Sequence, residues 1–196
     1  MRIVGGSLGG RRLRAPPGSA TRPTSDRVRE AIASLLAARD MIEGRQVLDL
    51  YAGSGALGLE MLSRGAERAV FVERDGRTAR LIRENAAELG LADQVEVLCE
   101  DATRERAQQT ICARGPFSLV LADPPYRDAQ AALAALAELG ARGALAPDAC
   151  LLLEHGAKGA PIFPNSLEAL SNYRYGDTAV TLFVASHASQ DGVKER

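Results

Sequence analysis

Hydrophobic spacing along the chain changes character twice. Over residues 1–16, apolar Ile3, Val4, Leu8 and Leu13 stand among the pairs Gly5-Gly6 and Gly9-Gly10, a pattern that predicts a small β-hairpin. Pro16-Pro17-Gly18 breaks it. Arg22-Pro23-Thr24-Ser25-Asp26 then offers hydroxyl and carboxylate caps, and Val28, Ile32, Leu35 and Leu36 recur at helical spacing, so a helix is expected over 25–38. From Gln46 onward, short apolar runs at 47–50, 69–72, 95–98, 119–121 and 151–153 read as strands, with helices near 56–64, 76–89, 103–113 and 129–140 between them. Such alternation builds βαβ units around a parallel sheet buried on both faces. After Pro164 a short helix near 166–170 is expected. An antiparallel hairpin should follow, from Asn172-Tyr173-Arg174-Tyr175, the turn signal Gly176-Asp177 and the alternating run 179–184. Residues 186–196 are polar and read as a disordered tail.

Composition narrows the class without choosing a function. A chain of 196 residues, 46% hydrophobic and 25% charged, is the size of one globular domain. No apolar run approaches the ~18 residues of a membrane helix, and residues 1–6 lack the core of a signal peptide, so the cytoplasm is expected and no membrane contact. Cys99, Cys112 and Cys150 are widely spaced and unpaired by any CxxC, and read as core or bystander thiols; with two histidines in the chain, no metal site is expected. His155 reads as a satisfied strand-end residue. Charge becomes informative once it is divided. Residues 1–30 carry Arg2, Arg11, Arg12, Arg14, Arg22, Arg27 and Arg29 against Asp26 and Glu30, a net +5, while the remainder carries −6. Guanidinium groups pair bidentately with phosphate, so a basic head of this kind suits a nucleic-acid backbone.

Gly53-Ser54-Gly55-Ala56-Leu57-Gly58 follows the first core strand and opens a helix, with Glu73 twenty residues beyond Gly53. The spacing fits a dinucleotide fingerprint, but the same turn serves any adenosine-containing ligand. Its neighbours favour S-adenosylmethionine. Asp49 would oppose a pyrophosphate, yet suits the ammonium of a methionine moiety. Asp101, just after the third strand, can accept from an adenine amine. Each acid alone reads equally well as a helix cap; at consecutive strand ends beside a glycine loop, the set points to a cofactor. Leu48-Asp49-Leu50-Tyr51-Ala52-Gly53-Ser54-Gly55 resembles motif I of the class I methyltransferases.

Asp123-Pro124-Pro125-Tyr126 comes directly after the fourth strand. An exocyclic base amine is a poor nucleophile because its lone pair is delocalised into the ring. A carboxylate and a carbonyl accepting its two N–H bonds favour the pyramidal, attacking form. Asp123 and the Pro124 carbonyl can supply that pair, the prolines stiffen the turn, and Tyr126 offers a face for an extruded base. The tetrapeptide resembles the motif of methyltransferases that act on exocyclic base nitrogens and sometimes on glutamine amides. No cysteine nucleophile follows, which disfavours carbon methylation.

With these motifs, residues 1–6, Gly10-Arg11-Arg12-Leu13 and Arg22-Pro23-Thr24-Ser25-Asp26-Arg27-Val28-Arg29-Glu30-Ala31 resemble the bacterial family that methylates guanine N2 in small-subunit (16S) ribosomal RNA. The likeness extends to about residue 185. It implies a Rossmann-like α/β fold: a mostly parallel seven-stranded sheet ending in an antiparallel hairpin, with a basic extension over 1–22, a methyltransferase domain over 23–185 and a tail over 186–196. It implies S-adenosyl-L-methionine held by Asp49, Ala52, Gly53, Ser54, Gly55, Glu73, Asp101, Ala102, Asp123 and Thr24. Catalysis falls to Asp123, Pro124, Pro125 and Tyr126, and RNA contacts to Arg11, Arg12, Arg14, Arg22, Arg27 and Arg29. The partner implied is ribosomal RNA in an assembled or assembling 30S particle, met by a monomer. Ala33 departs from the Phe usual at its place in the family, which bears on packing. The alternatives are an adenine-N6 methyltransferase on DNA or RNA, a cofactor-binding but inactive RNA-assembly factor, and a protein glutamine methyltransferase.

Overall fold

The computed structural model describes residues 1–16, 26–164 and 167–185. Its strands are β1 (Gln46–Leu50), β2 (Arg68–Val72), β3 (Val95–Leu98), β4 (Phe117–Ala122), β5 (Leu145–Gly156), β6 (Leu167–Tyr175) and β7 (Thr178–Ala185). The helices are α1 (Asp26–Ala37), α2 (Ala56–Ser63), α3 (Gly76–Leu89), α4 (Glu105–Cys112) and α5 (Ala129–Ala141). One seven-stranded sheet runs in the order β3-β2-β1-β4-β5-β7-β6. β1 to β5 are mutually parallel, and β7 lies antiparallel between β5 and β6.

Alternation along each strand divides the core in two. Val47, Leu119, Leu121 and Leu152 pack on one face with α1, α2 and α3, through residues such as Ile32, Leu59 and Ile82. Leu48, Val120, Leu151 and Leu153 pack on the other with α4 and α5, through Ile111, Leu133 and Leu136. A parallel sheet needs both faces covered, and these two layers supply the cover. No helix among the described residues is long and apolar enough to cross a membrane.

The N-terminal segment pairs as one antiparallel bridge, Arg2 to Arg12, extended by bonds from the Ile3 N–H to Arg11 and from the Leu13 N–H to Met1, with a 3₁₀ turn at Gly6–Leu8 between. Ile3 and Leu13 are buried in the same core cluster as α2 and α3. The segment is therefore docked on the body. Ala33, enclosed in that cluster, occupies its place with no exposed surface.

One expected element has the other conformation. The helix expected near 166–170 is instead the start of β6, with Leu167 paired to Ala185 and Glu168 to Val184. Leu-Glu-Ala-Leu has good helical propensity, but so short a run cannot offset helix nucleation, whereas β7 offers an unpaired edge. β6 is the sheet's edge strand, mostly exposed, and its register shifts between Ala169 and Ser171. The residues carrying Arg22 and Thr24, and the tail at 186–196, lie outside the described residues.

Candidate active site

The order of strands reverses between β1 and β4: β1 leads outward to β2 and β3, and β4 leads the other way to β5. A crevice opens beyond the carboxyl ends of the strands at such a switch point, and open α/β sheets bind ligands there. The glycine loop follows β1 and Asp123-Pro124-Pro125-Tyr126 follows β4, so both motifs meet at this crevice.

The loop is shaped by its own backbone. Gly53 has φ +55°, and a side chain built there would meet no atom within 4 Å, so the loop leaves open space above it. Gly58 serves the opposite need. A Cβ there would lie 2.5 Å from the Phe71 ring and 2.9 Å from Asp49 Oδ2, so only glycine lets α2 pack on the sheet. Asp49 is buried and accepts the Gly58 N–H at 2.9 Å. Burial, partly offset by that bond, pushes its carboxyl up to about 8, with the charges of Asp123 and Glu73 adding to the rise. Three carboxyl groups thus meet at the crevice, with Asp49 kept largely protonated near neutral pH by its burial and by the charges of Asp123 and Glu73. That field repels pyrophosphate and attracts a cation.

Glu73 holds the loop from the neighbouring strand end. Its Oε2 accepts the Gly53 N–H and its Oε1 the Asp75 N–H, each at 2.9 Å. Asp75 in turn caps α3 through the Thr78 N–H at 2.8 Å. Ala52, at the loop's start, donates its N–H to the Val72 carbonyl. Asp101 accepts from the Thr103 hydroxyl at 2.7 Å and from its N–H at 3.0 Å. These bonds hold its carboxyl below the usual range, so it stays an acceptor. The Ala102 side chain is buried beside it. Tyr51, with φ +62°, carries a buried hydroxyl with no hydrogen-bond partner. Burial pushes its phenol up to about 12, with Asp101 and Asp128 adding to the rise.

At the other wall, Asp123 is partly exposed, Pro124 is buried and Tyr126 is 46% exposed. The Tyr126 hydroxyl shares a 2.7 Å hydrogen bond with Thr178 Oγ1. Its ring lies over Gly156 at the end of β5, where a Cβ would stand 3.3 Å from Cδ2. The ring is fixed from both ends and stays about half exposed. His155 is buried, with Nε2 2.9 Å from Thr181 Oγ1 and Nδ1 3.0 Å from the Gly156 carbonyl.

The arginines sort into three groups. Arg12 and Arg27 are exposed. Arg11 donates to the Glu88 carbonyl at 2.7 Å, and Arg14 pairs with Glu84 and Glu88, so both are docked along α3. Arg29 corrects the expectation of an RNA contact. It is 1% exposed, and its guanidinium donates to the Arg2 carbonyl at 2.7 Å and to Asp26 at 2.8 Å. It ties α1 to the N-terminal segment and cannot reach a phosphate from there.

Several residues that matter here give little sign in the sequence. Buried Glu60 accepts the Val4 and Gly5 N–H groups at 2.7 and 2.8 Å and pairs with Arg64, which also meets Glu30. Buried Asn85 accepts the Arg14 N–H and donates to the carbonyls of Arg14 and Ser54. The one available signal is a polar residue on the apolar face set by Ile82, Ala86 and Leu89. The Ser54 hydroxyl reaches Met1 Sδ at 3.1 Å. Thr178 gives no local sign at all.

Residues 1–184 match the family described as conserved hypothetical protein 95. The Bacillus subtilis protein YlbH is 35% identical over 185 residues, 93% of this chain and 98% of that protein. The Escherichia coli protein named ribosomal RNA small subunit methyltransferase D is 41% identical over 127 residues, 65% of this chain and 61% of that protein. The solved structure of the Escherichia coli protein yhhF superimposes with a TM-score of 0.79 at 34% identity, covering 95% of this chain and 98% of that one.

Proposed function

The chain belongs to the conserved hypothetical protein 95 family, whose named relatives include a ribosomal RNA methyltransferase, and from that premise we propose that it methylates N2 of a guanine in small-subunit ribosomal RNA. The observation that carries this reading is the placement of the glycine loop and Asp123-Pro124-Pro125-Tyr126 on adjacent strand ends at the switch point. Bound S-adenosylmethionine would supply a methyl group activated by its sulfonium. The open space at Gly53 fits its close approach to the backbone, Asp49 its ammonium, Glu73 its ribose hydroxyls and Asp101 its adenine amine.

The protein's own groups do the rest. Asp123 and the Pro124 carbonyl accept the two N–H bonds of the guanine amine, turn its lone pair outward and hold it in line for attack. The nitrogen bonds the methyl carbon as the carbon–sulfur bond breaks to leave a neutral thioether, and the proton that the nitrogen gives up passes to Asp123. Tyr126, fixed by Thr178 and Gly156, stacks the extruded base. Arg12, Arg22 and Arg27 meet the RNA, and Thr24 contacts the cofactor. The substrate is an assembled or assembling 30S particle, and a monomer acts on it in the cytoplasm.

The test is methyl transfer from labelled S-adenosylmethionine to small subunits isolated from a strain lacking this protein, followed by nucleoside analysis. Label in N2-methylguanosine, absent with wild-type subunits, is the expected result. Label in adenosine, or none in RNA, overturns the assignment.

A further inference from the structure

An apolar residue of the loop after β5, Ile162, is tied to the helix that follows Tyr126. Ile162 is 83% exposed, more than any other large hydrophobic side chain among the described residues. A lone surface aliphatic is ordinary; the backbone beneath this one is not. The Gln130 side-chain amide holds both main-chain polar groups of Ile162. The Ile162 N–H donates to Oε1 at 2.9 Å, and Nε2 donates to the Ile162 carbonyl at 3.2 Å. Gln130 lies in the first turn of α5, four residues beyond Tyr126. The helix that follows the stacking ring therefore also fixes the loop after β5.

The next residue turns inward. The Phe163 ring meets Phe183 edge-on at 5.0 Å between centroids and His155 at 6.1 Å. Pro161 and Pro164 bracket the pair and restrict the backbone further. An amide clamp on one side and an aromatic anchor on the other thus hold an aliphatic side chain out into water. Two exposed cations stand near these residues in the chain, Arg127 paired with Asp128 at 3.7 Å. Arg127 follows Tyr126 directly, and Lys158, one of two lysines in the chain, sits where its carbonyl approaches Gly156 beneath the Tyr126 ring.

We propose that Ile162 is a wedge that fills the gap left in the RNA stack when the target base is extruded, with Gln130 as its positioning residue and Arg127 and Lys158 on the flanking phosphates. The proposal rests on the base-methylation reading above. An extruded base leaves its neighbours unstacked, and an apolar group in the gap restores contact and delays the base's return. A rigid loop suits this task because a mobile one would lose the gain to ordering entropy.

The test compares wild type, Ile162→Ala, Ile162→Leu, Gln130→Ala and the double Ala variant, using the unmethylated subunits described above. Ile162→Ala should lower kcat about tenfold, the scale of one lost stacking contact, with cofactor Kd unchanged. Ile162→Leu should restore turnover. Gln130→Ala should reproduce the defect, and the double variant should be no worse than either single one. Wild-type turnover in Ile162→Ala, additive losses in the double variant, or failure of Leu to rescue would overturn the wedge. A wild-type protein that puts no label in guanine would instead overturn the base-methylation reading, and the wedge with it.

Discussion

Asn in place of Asp49 keeps the shape of the side chain and an oxygen for the Gly58 N–H, and removes only the ionisation. Burial raises the Asp49 carboxyl from 3.8 to about 8, so over that interval the folded chain keeps a proton that the unfolded chain releases. A carboxyl raised in this way contributes its stability in full below about pH 3.8 and loses it as pH rises through about 8. Relative to Asp49→Asn, the cofactor-free wild type should therefore weaken by up to about 1.4 kcal/mol per pH unit, reaching about 4 kcal/mol near neutrality. Urea unfolding of both proteins, followed by far-ultraviolet circular dichroism from about pH 5 to about pH 8, measures the gap directly. A gap that stays flat across that range refutes the reasoning. Saturating S-adenosylmethionine adds a second readout. A cation near Asp49 favours its charged form, so binding at neutral pH should release a proton in wild type and none in Asp49→Asn.

The remaining predictions address the reacting wall and the basic head. Asp123→Ala should lower methyl transfer at least about a hundredfold, the scale of a lost polarising contact, while calorimetry shows cofactor binding weakened far less. Tyr126→Phe loses only the bond to Thr178 and should cost little, whereas Tyr126→Ala should cost roughly 1–3 kcal/mol in kcat/KM on RNA. Replacing Arg12 and Arg27 together by Gln should flatten the salt dependence of RNA binding by about two units of slope. Arg29→Ala should instead leave that slope alone and lower unfolding stability by about 1–3 kcal/mol, since the Arg2 carbonyl and Asp26 lose a buried donor; an unchanged urea midpoint would contradict its structural role.

The sheet was largely legible because its signals are local. Val47 to Leu50, Ala69 to Val72 and Leu119 to Ala122 are short apolar runs flanked by turn residues, and each is a strand within two residues of its expected limits. The glycine loop and Asp123-Pro124-Pro125-Tyr126 were equally plain, since each carries its chemistry in consecutive residues. β6 was not, because Leu167 to Leu170 has a helical composition and becomes a strand only by pairing with β7. The roles of the arginines were also hidden. Arg27 and Arg29 stand two apart on α1, one exposed and one buried, and only the docking of the N-terminal segment decides which is which. Thr178 reaches Tyr126 across 52 residues of chain, a contact that no local pattern encodes.

That docking also changes what the basic head is. Charge alone describes an arm attached to a catalytic body, yet its backbone is held by the body's own helices. Glu60 of α2 takes the Val4 and Gly5 N–H groups, and Asn85 of α3 takes the Arg14 N–H while also bonding the Ser54 carbonyl in the glycine loop. Met1 touches the Ser54 hydroxyl from the other side. The loop that fits the cofactor and the segment that carries the arginines therefore share buried partners, and neither can shift without disturbing the other. Glu60 and Asn85 are the links, each a polar group on a buried helix face where an apolar residue would pack as well. An apolar residue there would leave the backbone N–H groups of Val4, Gly5 and Arg14 without acceptors, at about 1–3 kcal/mol for each one kept from water. The two polar side chains thus fix the head in one place beside the reacting edge, which mere attraction between an arginine-rich arm and an acidic body could not do.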